Sequence, residues 1–114
     1  MSKTDDITRL KHIRDAAQKA INFVKDKERD NLDNDEMLYL ALVRLIEIIG
    51  EAANNISEFY QQKYSDIPWR KIIGMRNRIV HAYFDVDLDI VWQVVKYDLS
   101  PLLKEINKAI KELT

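Results

Sequence analysis

Glycine occurs only twice and proline only twice in these 114 residues, while apolar side chains return every three or four positions along most of the chain. Sharp turns and strand ends lean on those two scarce residues. No stretch alternates strictly between apolar and polar, as a half-buried strand would. The chain is therefore read as all-α, a bundle of about five helices joined by short loops. Its length fits one domain over residues 1–114.

The helices are placed by their stripes. A first helix is predicted from about Asp5 to Lys27, with Leu10, Ile13, Ala17, Ala20, Ile21 and Val24 on its buried side. Asp5 or Asp6 is expected to cap it through a short carboxylate. Glu28 to Asp35 is a polar break whose one apolar residue is Leu32. A second helix is predicted from about Asn34 to Phe59 or beyond. Leu38, Leu42, Leu45, Ile46, Ile49, Ala52, Ala53 and Ile56 spread over more than one face, so it should be central. Arg44, Glu47, Glu51, Asn54 and Glu58 form its one polar stripe.

Ser65 to Pro68 reads as a turn feeding a third helix over about Pro68 to His81. Gly74 inside it costs ~1 kcal/mol against alanine, so a close helix contact is expected there. Tyr83 to Asp87 is a short connection. Asp87 should cap a fourth helix through Val91, Trp92, Val94, Val95 and Leu99, and Pro101 should break or kink the path. Leu102, Leu103, Ile106 and Ile110 mark the last helix. Trp69 and Trp92 are expected to be core or interface anchors, and His12 an ordinary residue of the first helix.

Several function classes drop out. Without cysteine there is neither disulfide nor thiolate metal site. No basic start leads into an apolar run, so no signal peptide is expected. The longest apolar stretch, Met37 to Ile49, is too short for a bilayer and contains Arg44 and Glu47. A soluble, cytoplasmic protein is expected. A net charge of −1 argues against a general nucleic-acid coat, which needs a large positive field. It leaves room for one local basic site. From Pro68 to Phe84 the chain carries Arg70, Lys71, Arg76 and Arg78 and no acid, and Asp85, Asp87 and Asp89 follow at once.

The stretch Arg76-Asn77-Arg78-Ile79-Val80-His81-Ala82-Tyr83 concentrates the chemistry. Histidine can give and take protons near neutrality, and the arginine fork fits a phosphate. His81 could take the proton of a ribose 2′-hydroxyl or give one to a leaving 5′-oxygen. Arg76 would hold the phosphate, and Asn77 would orient one or the other. On a regular helix Asn77 and His81 lie ~40° apart, but Arg76 and His81 diverge by ~140°. Those two converge only if the helix ends near His81 or a second copy supplies one of them. Spacing alone leaves another reading open, in which His81 answers the helix macrodipole and Arg76 and Arg78 are a solvated face. Tyr83 is either a half-buried aromatic or a hydroxyl exposed beside the basic site. Glu47 and Glu51 have no histidine at ligand spacing and are expected to pair with Arg44 or with an arginine of the third helix. No metal and no cofactor are expected.

The run from Ile67 to Phe84, with Arg76-Asn77, then His81, then Tyr83, resembles the HepT-like members of the HEPN superfamily. Ile46-Glu47-Ile48-Ile49-Gly50-Glu51-Ala52-Ala53 resembles that family's second helix. The resemblance covers nearly the whole chain. It implies a HEPN-type helical bundle and a homodimer whose two motifs line one cleft. It implies a metal-independent endoribonuclease, the toxin of a type VII (HepT/MntA) toxin–antitoxin pair acting on RNA such as tRNA or mRNA. Its partner would be a minimal nucleotidyltransferase of the MntA type that transfers AMP to the motif tyrosine. Carried over, Arg76 and His81 are the catalytic pair, Asn77 supports them, and Tyr83 accepts AMP. Arg70, Lys71 and Arg78 would add phosphate contacts. An AMP on Tyr83 would fill the phosphate position and repel RNA. Two other readings use the same residues: a non-catalytic helical adaptor regulating a nucleotidyltransferase, and a nucleotide-binding module on Arg70, Lys71 and Arg76. The latter lacks a glycine-rich loop.

Overall fold

The structure, a computed structural model, describes residues 3–82 and 85–114, with His81 and Ala82 described by their backbone alone. The all-α expectation holds, with more and shorter pieces than five helices and one small hairpin. In chain order they are α1 (Lys3–Phe23), α2 (Asn31–Asn34), α3 (Glu36–Asn54), α4 (Glu58–Lys63), α5 (Trp69–Ile73), α6 (Met75–Ile79), β1 (Val80–Ala82), β2 (Asp85–Val86), α7 (Leu88–Gln93), a π turn over Val94–Asp98, and α8 (Leu99–Leu113).

The framework is α1, α3 and α8. Helix α1 packs on both of the others, and α3 also meets α5 and α6. Leu10, Ile13, Leu42, Ile46, Leu99 and Ile106 are sealed from solvent between them. Each comes from a stripe visible in the sequence, since burying such stripes is what stabilises short helices. Among the described residues no helix is long and apolar enough to cross a membrane. Helix α3 buries most of its circumference, as expected of a central helix, yet Met37 and Leu40 near its start stay 83% and 50% exposed.

Five features differ from expectation. Helix α1 stops at Phe23 because Asp26 takes φ 61°, a left-handed turn that aspartate tolerates better than most residues. Leu32, wholly buried, turns part of the polar break into α2. The second helix ends at Asn54 rather than beyond Phe59. Ser57 is extended there, with φ −60° and ψ 147°. Its amide and hydroxyl donate to the two carboxylate oxygens of Asp6 at 2.9 and 2.7 Å. Asp6 is thus no cap of its own helix; it is fully buried and pins α1 to the α3–α4 corner. Pro101 neither breaks nor ends a helix. It is the third residue of α8, which follows α7 and the π turn without a gap in the helical run; the amide of Leu99 reaches back five residues to the Val94 carbonyl just before it.

The fifth difference lies at the motif. The predicted helix from Pro68 to His81 divides at Gly74 and stops at Ile79. Val80 is extended, at φ −117° and ψ 106°. β1 pairs antiparallel with β2, matching Val80 to Val86 and Ala82 to Asp85 with an irregularity between them. The Asp87 amide donates to the Ile79 carbonyl at 2.7 Å. The β-branched pair Ile79-Val80 favours that exit from the helix. Asp87 caps α7 as expected, accepting from the amides of Asp89 and Ile90 at 3.1 Å.

Candidate active site

The close backbone approach occurs at Gly50, not at Gly74. A Cβ on Gly50 would lie 3.4 Å from the carbonyl oxygens of both Ile72 and Ile73. A methyl there would touch both carbonyls, and anything larger would push α5 away. A Cβ on Gly74 would meet chiefly its own preceding turn, at Arg70 O. Gly74 is the joint between α5 and α6, and Gly50 is the groove in α3 into which the end of α5 drops. Trp69 locks the approach from the other side. It is buried, and its indole N–H donates to the carbonyls of Gln61 and Tyr64 at 2.9 and 3.1 Å.

This approach brings Arg76 and Asn77 against the polar stripe of α3. Glu47, Gly50, Glu51, Asn54 and Ile73 complete the walls of an open cleft of about 490 Å³. Arg76 and Asn77 are both exposed, so their donors are available to a ligand. The two glutamates pair as expected. Arg44 lies 3.6 Å from Glu47 and 3.7 Å from Glu51, placing a cation between them on the same helix. Glu58, read as the end of that stripe, belongs to α4 and lies outside the cleft.

The remaining basic residues go elsewhere. Lys71 and Arg78 approach the same carboxylate, Asp98, at 3.7 and 3.9 Å. Asp98 is four-fifths covered and sits in the π turn. Arg78 is the neighbour of Asn77, but its charge is directed away from the Arg76 cleft. Arg70 is exposed and lines neither group. Trp92 is half-buried, with the Lys96 ammonium over its ring at 5.5 Å. His81 lies on β1 by its backbone; its side chain, like the whole of Tyr83, lies outside the described residues. The shared helical face expected for Asn77 and His81 does not exist, because the helix ends two residues before His81. The ~140° divergence of Arg76 and His81 falls with it. The condition for those two to converge, a helix that ends near His81, is met in the backbone.

Two features escaped the sequence reading. Gly50 stands alone in an apolar helix, and the reasoning applied to Gly74 would have found it. Asp98 as counter-ion to Lys71 and Arg78 had no local signal, since it depends on how α8 returns across the bundle.

The chain matches a family model described as "Ribonuclease HepT-like" over residues 13–109. "Putative RNase MJ1380" of Methanocaldococcus jannaschii is 36% identical over 94% of this chain and 98% of its own. "Putative RNase MJ1216" of the same organism is 36% identical over 99% of this chain and 93% of its own. "Probable ribonuclease HepT" of Thermococcus cleftensis is 33% identical over 90% and 93%. No solved structure matches.

Proposed function

Since the chain belongs to the HepT-like ribonuclease family, we infer that it is an endoribonuclease and that the cleft between α3 and α6 is where RNA is cut. One observation carries the placement. Arg76 and Asn77 project into an open cleft at the point where the chain abandons the helix, two residues before His81.

In this reading Arg76 holds a non-bridging oxygen of the scissile phosphate and offsets the charge that builds on it. A ribose 2′-hydroxyl loses its proton and attacks the phosphorus, and the bond to the 5′-oxygen breaks. The products are a 2′,3′-cyclic phosphate and a free 5′-hydroxyl. His81 moves one of the two protons involved, from the 2′-oxygen or to the 5′-oxygen. Asn77 fixes the phosphate or the imidazole. These residues supply the cation and the proton transfer themselves, so the reaction is proposed to need no metal. Arg70, Lys71 and Arg78 add positive potential along the approach, weakened at Lys71 and Arg78 by Asp98.

A homodimer fits the same geometry. One motif supplies one imidazole, and two proton transfers are served best by two. The exposed Met37 and Leu40 on α3 give a second copy an apolar edge to cover. The proposal extends to a toxin–antitoxin role. A partner nucleotidyltransferase of the MntA type would silence the enzyme by placing AMP on Tyr83, two residues beyond His81, where the added phosphodiester competes with RNA for Arg76.

The test is cleavage of end-labelled RNA by purified protein. Wild type should yield cyclic-phosphate ends, and Arg76→Ala and His81→Ala should each abolish them. Intact RNA after incubation with folded wild type would refute the assignment. For the partner, intact mass after co-expression with such a nucleotidyltransferase should rise by multiples of AMP, and Tyr83→Phe should remove the rise.

A further inference from the structure

Helix α6 is too short to fix its own orientation. Its five residues barely exceed one turn, and a helix that short owes its form to what it packs against. It packs against α3 and against α7. Two of the five, Met75 and Ile79, are buried. They lie ~40° apart around the axis and fasten the helix along a single line. Apolar burial is non-directional, so the roll about that line needs another constraint. Arg76 and Arg78 sit on opposite flanks, each ~80° from the line, and a roll that lifts one lowers the other. The Arg76 flank faces the cleft with α3.

The Arg78 flank meets Asp98. The Nη1 nitrogen of Arg78 is covered and has no hydrogen-bond partner among the described residues, and the Asp98 Oδ2 oxygen lies 3.9 Å from it. A guanidinium cannot shed its charge, so a covered Nη1 is held beside the anion that offsets it. The same Oδ2 oxygen lies 3.7 Å from the Lys71 ammonium. Lys71 belongs to α5 and Arg78 to α6, so one carboxylate spans the Gly74 joint. Asp98 is 20% exposed, which limits screening by salt. It stands in the π turn, and such interruptions of an α-helix recur at functional sites.

We propose that Asp98 is a positioning residue for cleavage: by holding Arg78 on one flank of α6 and Lys71 on α5, it sets the roll of α6 that presents Arg76 to the cleft. The inference rests on the ribonuclease reading above. Asp98 does not line the cleft and acts through Arg78. Its carboxylate also withholds two cations from an approaching RNA. The residue therefore aids the chemical step and weakens attraction of the substrate, and these two effects carry opposite signs.

The test is Asp98→Asn in the full chain, which removes the charge and keeps the shape. Initial rates on single-stranded RNA should show kcat down about tenfold while KM falls, since Lys71 and Arg78 are released to phosphates. The dependence of log KM on log salt should steepen by about 0.7 for each released cation. Arg78→Gln should lower kcat alike but raise KM, because it loses a cation instead of freeing two. Asp98→Glu, which returns the charge, should recover most of the kcat. A purely structural role would lower the melting temperature and leave kcat per folded molecule unchanged. Hydrogen exchange reports on the clamp without RNA. The Arg78 amide donates to the Gly74 carbonyl at 3.2 Å. In Asp98→Asn it should exchange about tenfold faster, with α1 and α3 unchanged. Wild-type kcat in Asp98→Asn, a KM that rises there, or unchanged exchange at Arg78 overturns the proposal. Faster exchange in a protein whose wild type cuts no RNA removes the nuclease reading and keeps the clamp; cutting at full rate by Asp98→Asn does the reverse.

Discussion

The α1–α3–α8 framework and the α5–α6–β1 corner are built on opposite terms. In the framework the helices run 15 to 21 residues, and their apolar stripes disappear into a shared core. In the corner two five-residue helices meet at Gly74 and give way to a strand of three, and the polar side chains Arg76 and Asn77 are left in the open. Ile72, Met75 and Ile79 anchor the corner to the core, so it is held by every third or fourth residue while the others are free to do chemistry. Long regular helices supply stability, and short broken ones supply directions in which a side chain can point.

If the division is real, substitutions in the two regions should fail in different ways. The largest effect is expected at Arg76. Arg76→Ala should cut RNA cleavage by roughly 10²- to 10³-fold with a melting temperature near wild type, measured by initial rates and thermal scans on one preparation. A matching loss of stability would put Arg76 in the framework and break the contrast. Ile46→Ala should do the opposite. Removing a fully buried side chain should cost ~2–5 kcal/mol in denaturant titration, with near-normal cleavage by whatever remains folded. Gly50→Leu tests the seam between the regions. The carbonyls 3.4 Å from its Cβ position would have to move, so cleavage should fall about tenfold while stability drops by only ~1–3 kcal/mol. Asp87→Ala removes the cap of α7 and should cost about 1 kcal/mol. The smallest effect belongs to Lys71→Ala. Its half-exposed pairing with Asp98 at 3.7 Å should contribute less than ~1 kcal/mol, and a KM rise of a few-fold would mark its share in attracting RNA.

The framework was readable because helical burial writes itself at a period of three to four residues, and Leu10, Ile13, Leu42, Ile46 and Ile106 all sit where that period puts them. The corner was readable only as a motif. The β-branched pair Ile79-Val80 is the one local hint that the helix stops at Ile79 rather than running on to His81, and it is too weak to decide alone. The difference comes from the pairing of Val80 with Val86 and from the Ile79 carbonyl being taken by Asp87, contacts between residues six to eight apart. Asp6 misled for the same reason. An aspartate near a helix start is a cap by every nearby sign, and its true partner, Ser57, lies 51 positions away.

That bond bears on how the protein can be handled. The span that matches the family begins at residue 13 and ends at 109, a natural place to trim for expression. Trimming there would discard the carboxylate that receives both donors of Ser57, along with Leu10 and Leu113, both buried in the core. What survived would keep the motif yet lose the fastening at its rear, and an inert product would say nothing about the enzyme. The apparent overhangs are working parts of the fold.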